Sequence, residues 1–562
     1  MRRANVVTLV LLLVVALTGA GVAIARLRDD DPRPNASPTP SPRATASGSL
    51  SATATATASP TARPTPTGTA PRTRQYDVVY AAGVSAAQGA AAVAAINGEV
   101  IHENATVGVA TVRSDAGFVA RAMRDKRILG VVTNRAVGRP PVDDGTRNSP
   151  PGLGPTKPDL SDLQWDMDAI GAAAAHARTK GDKRVLVAVI DTGVDGTHPD
   201  LAPAFDRTLS RNFVTDYPGA DGPCEARGCV DPNDVDGEGH GTHVAGTIAA
   251  ADDGRGITGV APGVTLVNLR AGQDSGLFFL MPTVDALVYA GDIGVDVANL
   301  SYFVDPWLFN CPRSPSDDAT ESYEQRALIE GVRRAVDYAY RHGVTLVAAA
   351  GNEHADLSAP RLDTFSPDFP EGDARPRRVD DTCYVLPTEL PHVIRVSATA
   401  RDGGKTGYSD YGLGSITLAA PGGEGQARDL VLSTYPKALA REEEAIRNDG
   451  GSRSATLAAS CRGTDCAYYR FFSGTSMAAP HVTGVAALVV SLFGTDDPAH
   501  PGQLRMDPAA VEQRLRDTAR ALACPSPPTV DYGRYSATCR GTREDNGFYG
   551  SGLVDADAAT RR

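Results

Sequence analysis

Residues 185–201 read VLVAVIDTGVDGTHPDL, and the fold turns on them. The run Val185–Ile190 is apolar at every position and stops at Asp191. A strand buried on both faces needs that continuous pattern, because neither side of its pleat meets water. Four further runs share it: VTLVNLRA (264–271), VDVANLSY (295–302), VTLVAAAGN (344–352) and VIRVSATA (393–400). Between them lie helix-like stretches such as ESYEQRALIEGVRRAVDYAYRHG (321–343). The alternation predicts an α/β domain over 161–562, a doubly wound, mostly parallel sheet with helices on both faces.

Outward from that domain, the composition changes three times. Residues 1–25 carry Arg2 and Arg3, the apolar run Val6–Leu17 and the small-residue pattern Ala23-Ile24-Ala25, as in a signal peptide. Val6 to Ala25 is also about the ~20 residues that span a bilayer, so the same segment reads as a membrane anchor. Residues 26–72 are rich in Pro, Ser and Thr and predict an extended spacer. Residues 73–140 follow a β-α-β-β-α-β order (YDVVYA, VSAAQGAAAVAAING, EVIHENATVGVATVRS, DAGFVARAMRDKR, ILGVVTNR), the layout of a small ferredoxin-like α+β domain. The Pro- and Gly-rich stretch RPPVDDGTRNSPPGLGPTKP (139–158) predicts a linker over 141–160.

Of the 562 residues, 42% are apolar, enough for a large core. Fifty-five Lys and Arg against 67 Asp and Glu give a net charge of −12, without the basic footprint of a nucleic-acid binder. The eight cysteines fit disulfides in an exported protein, with Cys224/Cys229 and Cys461/Cys466 spaced as small loop staples. No clustered CxxC or Cys/His spacing suggests zinc.

Ligands of open α/β sheets lie at the carboxyl ends of the strands, so polar residues there are the candidates for chemistry. Asp191 ends one apolar run, and Asn352 ends another. His240 opens the small-residue helix GEGHGTHVAGTIAAA (237–251), and Ser476 stands at the turn into the apolar helix of FFSGTSMAAPHVTGVAALVV (471–490). Singly, each has an ordinary reading as a turn, helix-end or cap residue. Together they supply a carboxylate to orient a histidine, a histidine to deprotonate a serine, and an amide to hold an oxyanion.

The segments VAVIDTGVDGTHPDL, GHGTHVAGT, AAAGNE and SGTSMAAPHVTGVAAL resemble the Asp, His, oxyanion-Asn and Ser signatures of the subtilisin-like serine proteases, the subtilases. The resemblance implies Asp191 as orienting carboxylate, His240 as general base and acid, Ser476 as nucleophile and Asn352 as oxyanion donor. His243 is then a packing residue of its helix. A metal site built on His240 and His243 is the remote alternative, since HExxH is absent. Residues 73–140 resemble the inhibitory propeptides of the family, so the protein's own propeptide is an expected intramolecular partner, cleaved within 141–160.

The same resemblance places a protein or peptide substrate between LRAGQDSGLFF and VANLSYFVDPW, with Gly276, Ser301, Tyr302, Phe303 and Gly351 as contacts. Bulky Tyr302 and Phe303 stand near positions where small residues are common in the family, which predicts a narrowed subsite. No cofactor is implied for the chemistry. A structural calcium site is implied at Asp200 and Asp253, with backbone oxygens of Ala251, Arg255 and Ile257. Asp231, Asp234 and Asp236 lack EF-hand spacing and read as solvated loop charge. The expected product is thus a secreted endopeptidase. The alternatives are a processing protease tethered to the outer membrane face by residues 6–25, and a subtilase-fold binding protein without turnover.

Overall fold

The computed structural model describes residues 74–133, 154–359, 361–368 and 372–562. The expected signal or anchor, the 26–72 spacer and most of the 141–160 linker lie outside these residues. The small domain runs β1 (Arg74–Tyr80), α1 (Ala86–Ala95), β2 (Glu99–Asn104), β3 (Val109–Ser114), α2 (Phe118–Ala122) and β4 (Ile128–Thr133). Its strands pair antiparallel in the order β2-β3-β1-β4, the ferredoxin-like arrangement expected. The alternation of strand side chains serves two cores at once. Tyr76, Val78 and Tyr80 pack with Val93 and Phe118 beneath its own helices, whereas Val79 joins the core of the large domain.

Two short helices, α3 (Trp165–Ala169) and α4 (Ala172–His176), lead to the strands β5 (Leu186–Asp191) and β6 (Arg211–Asn212). Then come α5 (His240–Ala249), β7 (Thr265–Arg270), α6 (Leu280–Asp292), β8 (Val297–Leu300), α7 (Ala319–Arg341) and β9 (Thr345–Ala349). A hairpin of β10 (Arg361–Asp363) and β11 (Arg377–Val379) precedes β12 (Val393–Thr399) and β13 (Leu418–Pro421). The segments β14 (Val431–Tyr435), α8 (Lys437–Glu442), β15 (Leu457–Arg462) and β16 (Asp465–Phe472) lead into α9 (Thr475–Phe493).

The large sheet has the order β13-β12-β9-β8-β5-β7-β6, and every neighbouring pair is parallel. Val187 and Val189 of β5 point to one layer, with Val244 and Ile248 of α5 and Val482 and Val485 of α9. Ala188 and Ile190 point to the other, with Val284 of α6 and Leu328 of α7. This double burial is why β5 is apolar throughout. From β5 the chain continues to β7 on one side and later to β8 on the other, so the topological switch falls at the carboxyl end of β5, where Asp191 stands.

The small domain sits against α6 and α7. Arg334 of α7 donates to the carbonyls of Tyr80 and Val107, the Thr133 N–H donates to Glu324, and His102 and Asn104 both bond Asp285 of α6. A Cβ on Gly130 would stand 2.6 Å from that of Ala327, so glycine is what lets β4 lie this close to α7. All eight cysteines pair, Cys224–Cys229 and Cys461–Cys466 as expected, with Cys311–Cys383 and Cys524–Cys539.

One expectation needs correction. The end of the 141–160 span is no loose linker, because Thr156 pairs with Ala459, Asp159 with Gly256, and the Leu160 N–H donates to Gly256 at 2.7 Å. Residues from Gly154 onward belong to the body of the large domain, where backbone pairing needs a fixed extended chain.

Candidate active site

Asp191 ends β5 fully buried, and its Oδ1 lies 2.8 Å from His240 Nδ1 while accepting the Thr192 N–H. His240 begins α5, and the next residue explains how helix and strand end meet. A Cβ on Gly241 would stand 2.1 Å from the Gly193 carbonyl and 3.0 Å from Asp191 Cβ. Any larger residue would separate the imidazole from its carboxylate.

Ser476 lies in the first turn of α9, its Oγ donating to the Ser301 carbonyl at 3.2 Å. Ser301 Oγ in turn donates to the Ser476 carbonyl and accepts from Asn299, whose own side-chain oxygen takes the Thr483 hydroxyl. The end of β8 and the start of α9 are thereby tied together. Asn352 follows β9, and its Oδ1 accepts both the N–H and the hydroxyl of Thr475 at 2.9 Å. With the oxygen so occupied, the amide is fixed in orientation and its Nδ2 is the atom left for the cleft.

His240, Ser476 and Asn352 line one cleft of about 750 Å³. All five expected substrate contacts, Gly276, Ser301, Tyr302, Phe303 and Gly351, line it too. Tyr302 stacks on Phe278, with ring centroids 4.0 Å apart, and both rings line the cleft. Thus the separated sequence motifs meet at a single cavity, lined by His240, Ser476 and Asn352, with Asp191 behind the imidazole.

Charge at the site is strongly negative. Burial pulls the His240 imidazole down, but Asp191, Glu238 and Asp236 more than offset it and raise its pKa to about 9. Glu238 accepts the His240 N–H, and burial pushes its own carboxyl up to about 7.

Asp236 overturns the reading of Asp231, Asp234 and Asp236 as solvated loop charge. Asp236 is buried and accepts from Thr192 Oγ1, the Gly239 N–H and the Thr242 N–H, pinning the Asp191 turn to the start of α5. Asp231 is buried against Arg270 at 2.7 Å, and Asp234 pairs with Arg207. Spacing along the chain gave no signal for Thr192, Arg207 and Arg270, which come from distant segments, whereas Gly239 and Thr242 are near neighbours of Asp236.

His243 packs as expected, stacked on Phe472, with Nε2 bonded to the Val431 and Arg470 carbonyls. Burial drives its pKa down to about 3, so it is neutral, and it does not line the cleft.

At the expected calcium site, Asp200 is buried and accepts the Tyr469 hydroxyl at 2.8 Å and the Ile257 N–H at 3.2 Å. Burial pushes its carboxyl up to about 7. Asp253 is exposed and accepts the Arg255 N–H, while the Arg255 side chain turns to Asp465. Among the described residues the carbonyls of Ala251, Arg255 and Ile257 take no hydrogen bond. Asp200 and Asp253 carry carboxylate oxygens and the three carbonyls are open acceptors, which is the chemistry that hard cations take.

The Asp191–His240 pair, Ser476 and Asn352 thus meet at the carboxyl ends of a parallel sheet. The Subtilase family profile (Peptidase_S8) matches residues 182–552, and the chain belongs to that family as a subtilisin-like serine protease. Subtilisin Savinase of Lederbergia lenta is 30% identical over 71% of this chain and 99% of its own length. Fervidolysin of Fervidobacterium pennivorans is 30% identical over 74% of this chain, which spans about half of it (52%). The crystal structure of the epidermin leader peptide processing serine protease of Staphylococcus aureus shares the fold, with TM-score 0.59 at 22% identity over 87% of this chain and 98% of that one.

Proposed function

We propose that the protein is a secreted serine endopeptidase that cleaves proteins or peptides through an acyl-enzyme. The observation that carries the reading is the Asp191–His240 hydrogen bond in the same cleft as Ser476 and the Thr475-locked Asn352 amide. In this reading a substrate N–H takes the Ser301 carbonyl, and the Ser476 hydroxyl turns from it to His240. The imidazole accepts the hydroxyl proton as Oγ attacks the scissile carbonyl, then delivers that proton to the leaving amine. Asn352 Nδ2 and the Ser476 N–H hold the oxyanion, and water hydrolyses the acyl-enzyme by the same steps in reverse. No cofactor takes part.

Residues 73–140 act as an inhibitory propeptide seated on α6 and α7, and maturation cuts before Gly154, where backbone pairing to the body begins. Residues 1–25 direct export, and if retained they tether the enzyme to the outer membrane face. A structural calcium ion is held by Asp200, Asp253 and the carbonyls of Ala251, Arg255 and Ile257. Adding chelator should then lower Tm, and an unchanged Tm would remove the ion from the account.

The principal test is labelling by a fluorophosphonate probe. We expect one labelled site, absent in Ser476→Ala, together with peptide turnover. Absence of both labelling and turnover would instead identify a binding protein on the subtilase fold. N-terminal sequencing of the mature form locates the maturation cut, and an N-terminus beyond Gly154 would overturn its assignment.

A further inference from the structure

Four carboxylates, Glu238, Asp305, Glu353 and Asp368, line the cleft, and no Lys or Arg does. Glu238 and Glu353 are folded back onto backbone N–H groups, those of His240 and Asn352. Asp305 and Asp368 are placed differently. Asp305 follows the Ser301–Phe303 wall, is 3% exposed, and accepts the Phe278 N–H through Oδ2. Asp368 is brought in from the β10–β11 connection by its N–H, which donates to the Pro306 carbonyl at 3.0 Å. Both carboxyls line this one cavity, each close enough for Asp368 to act on the charge of Asp305, and Asp368 Oδ1 is buried with no hydrogen-bond partner.

Two neighbouring carboxyls withdrawn from water need a proton to share, or a cation beside them. Burial raises both, Asp368 to about 6, and the neighbouring carboxylate raises Asp305 further. Among the described residues lining this cleft there is no Lys or Arg to pair with them. The adjoining walls are apolar, with Phe303, Leu308 and Val385, which suits the methylene stem of a long side chain whose head is charged.

We propose that Asp305 and Asp368 form the floor of a subsite that takes an Arg or Lys side chain from the acyl-side segment of the substrate. This rests on the endopeptidase reading and narrows it to basic substrates. A bound guanidinium or ammonium replaces the shared proton, donates to Asp368 Oδ1, and leaves both carboxyls ionised. A neutral side chain of the same shape leaves that oxygen without a donor, which is the costly state.

The test uses the active enzyme and fluorogenic peptides identical except for Arg, citrulline or norleucine at each of four acyl-side positions. Citrulline keeps the shape of Arg without its charge. At one position kcat/KM for Arg should exceed that for citrulline by roughly 30-fold or more. That ratio should fall at least tenfold in Asp368→Asn, whatever the absolute rates. Equal rates for Arg and citrulline at every position in the native enzyme overturn the inference, with no variant needed. A preference that survives in both Asp305→Asn and Asp368→Asn also overturns it. Both results leave the protease reading intact, whereas absence of cleavage together with absence of fluorophosphonate labelling removes that reading and the subsite with it.

Discussion

The carboxyl ends of β5 and β7 lie side by side, with Asp191 and Arg270 as register partners, and each end buries a charge. They resolve that burial in opposite ways. Arg270 is fully enclosed by Asp216, Asp231 and Asp274 at 2.7–3.0 Å and donates to the Gly272 carbonyl as well. Its guanidinium never loses its proton, so the charge is permanent, and burial raises Asp216 to about 6 and Asp274 to about 7 against that pull. Asp191 instead faces an imidazole, which gains and loses a proton within the physiological range. A locked ion cluster suits a fixed strand end, whereas the pair proposed for catalysis must change charge in every turnover. Equal burial therefore says little about role. The partner's ability to titrate separates the structural end from the reacting one.

The comparison breaks most sharply at Ser476. Ser476→Ala should lower kcat by roughly 10⁶-fold, with Tm unchanged, because the fold does not depend on the reacting hydroxyl. At the β7 end the effect should be on stability. Arg270→Met strands three carboxylates and should cost about 3–5 kcal/mol in denaturant unfolding. That deficit should narrow as pH is lowered and the stranded groups accept protons. A loss below about 1 kcal/mol would mean that the cluster is not the lock described.

Asn352→Ala should cost about 10²–10³ in kcat with KM little changed, since the oxyanion exists only along the reaction path. The pH profile sharpens the β5 side further. General-base action needs neutral His240, whose pKa is raised to about 9, so kcat/KM should climb with pH to a midpoint near 9. Glu238→Gln removes one of the charges that raise it and should move that midpoint down by up to about one unit. An unmoved midpoint would show that Glu238 does not act on the imidazole. The smallest effect is expected where the small domain, proposed as a propeptide, meets α6. Asp285→Ala removes the partner of His102 and Asn104 and should weaken propeptide inhibition roughly threefold to tenfold in Ki, the bonds being partly exposed.

Much of this was legible along the chain because it is local. Apolar runs identify strands buried on both faces, and the β-α-β-β-α-β order of 73–140 identifies the small domain. The motifs around Asp191, His240, Asn352 and Ser476 identify the groups that meet at the cleft, since each needs a strand end or helix start that its neighbours encode. The disulfides five residues apart were legible for the same reason.

Only tertiary structure decided the rest. Asp236 reads as loop charge until Thr192 and Thr242 arrive to bond it, and Asp305 has no evident role until the β10–β11 connection brings Asp368 against it. Residues from Gly154 look like linker until Ala459 and Gly256 pair with them. Periodicity and motif spacing record how a residue relates to its sequence neighbours. A buried charge or an open backbone group is satisfied by partners far away in sequence, and those meet only when the chain has folded.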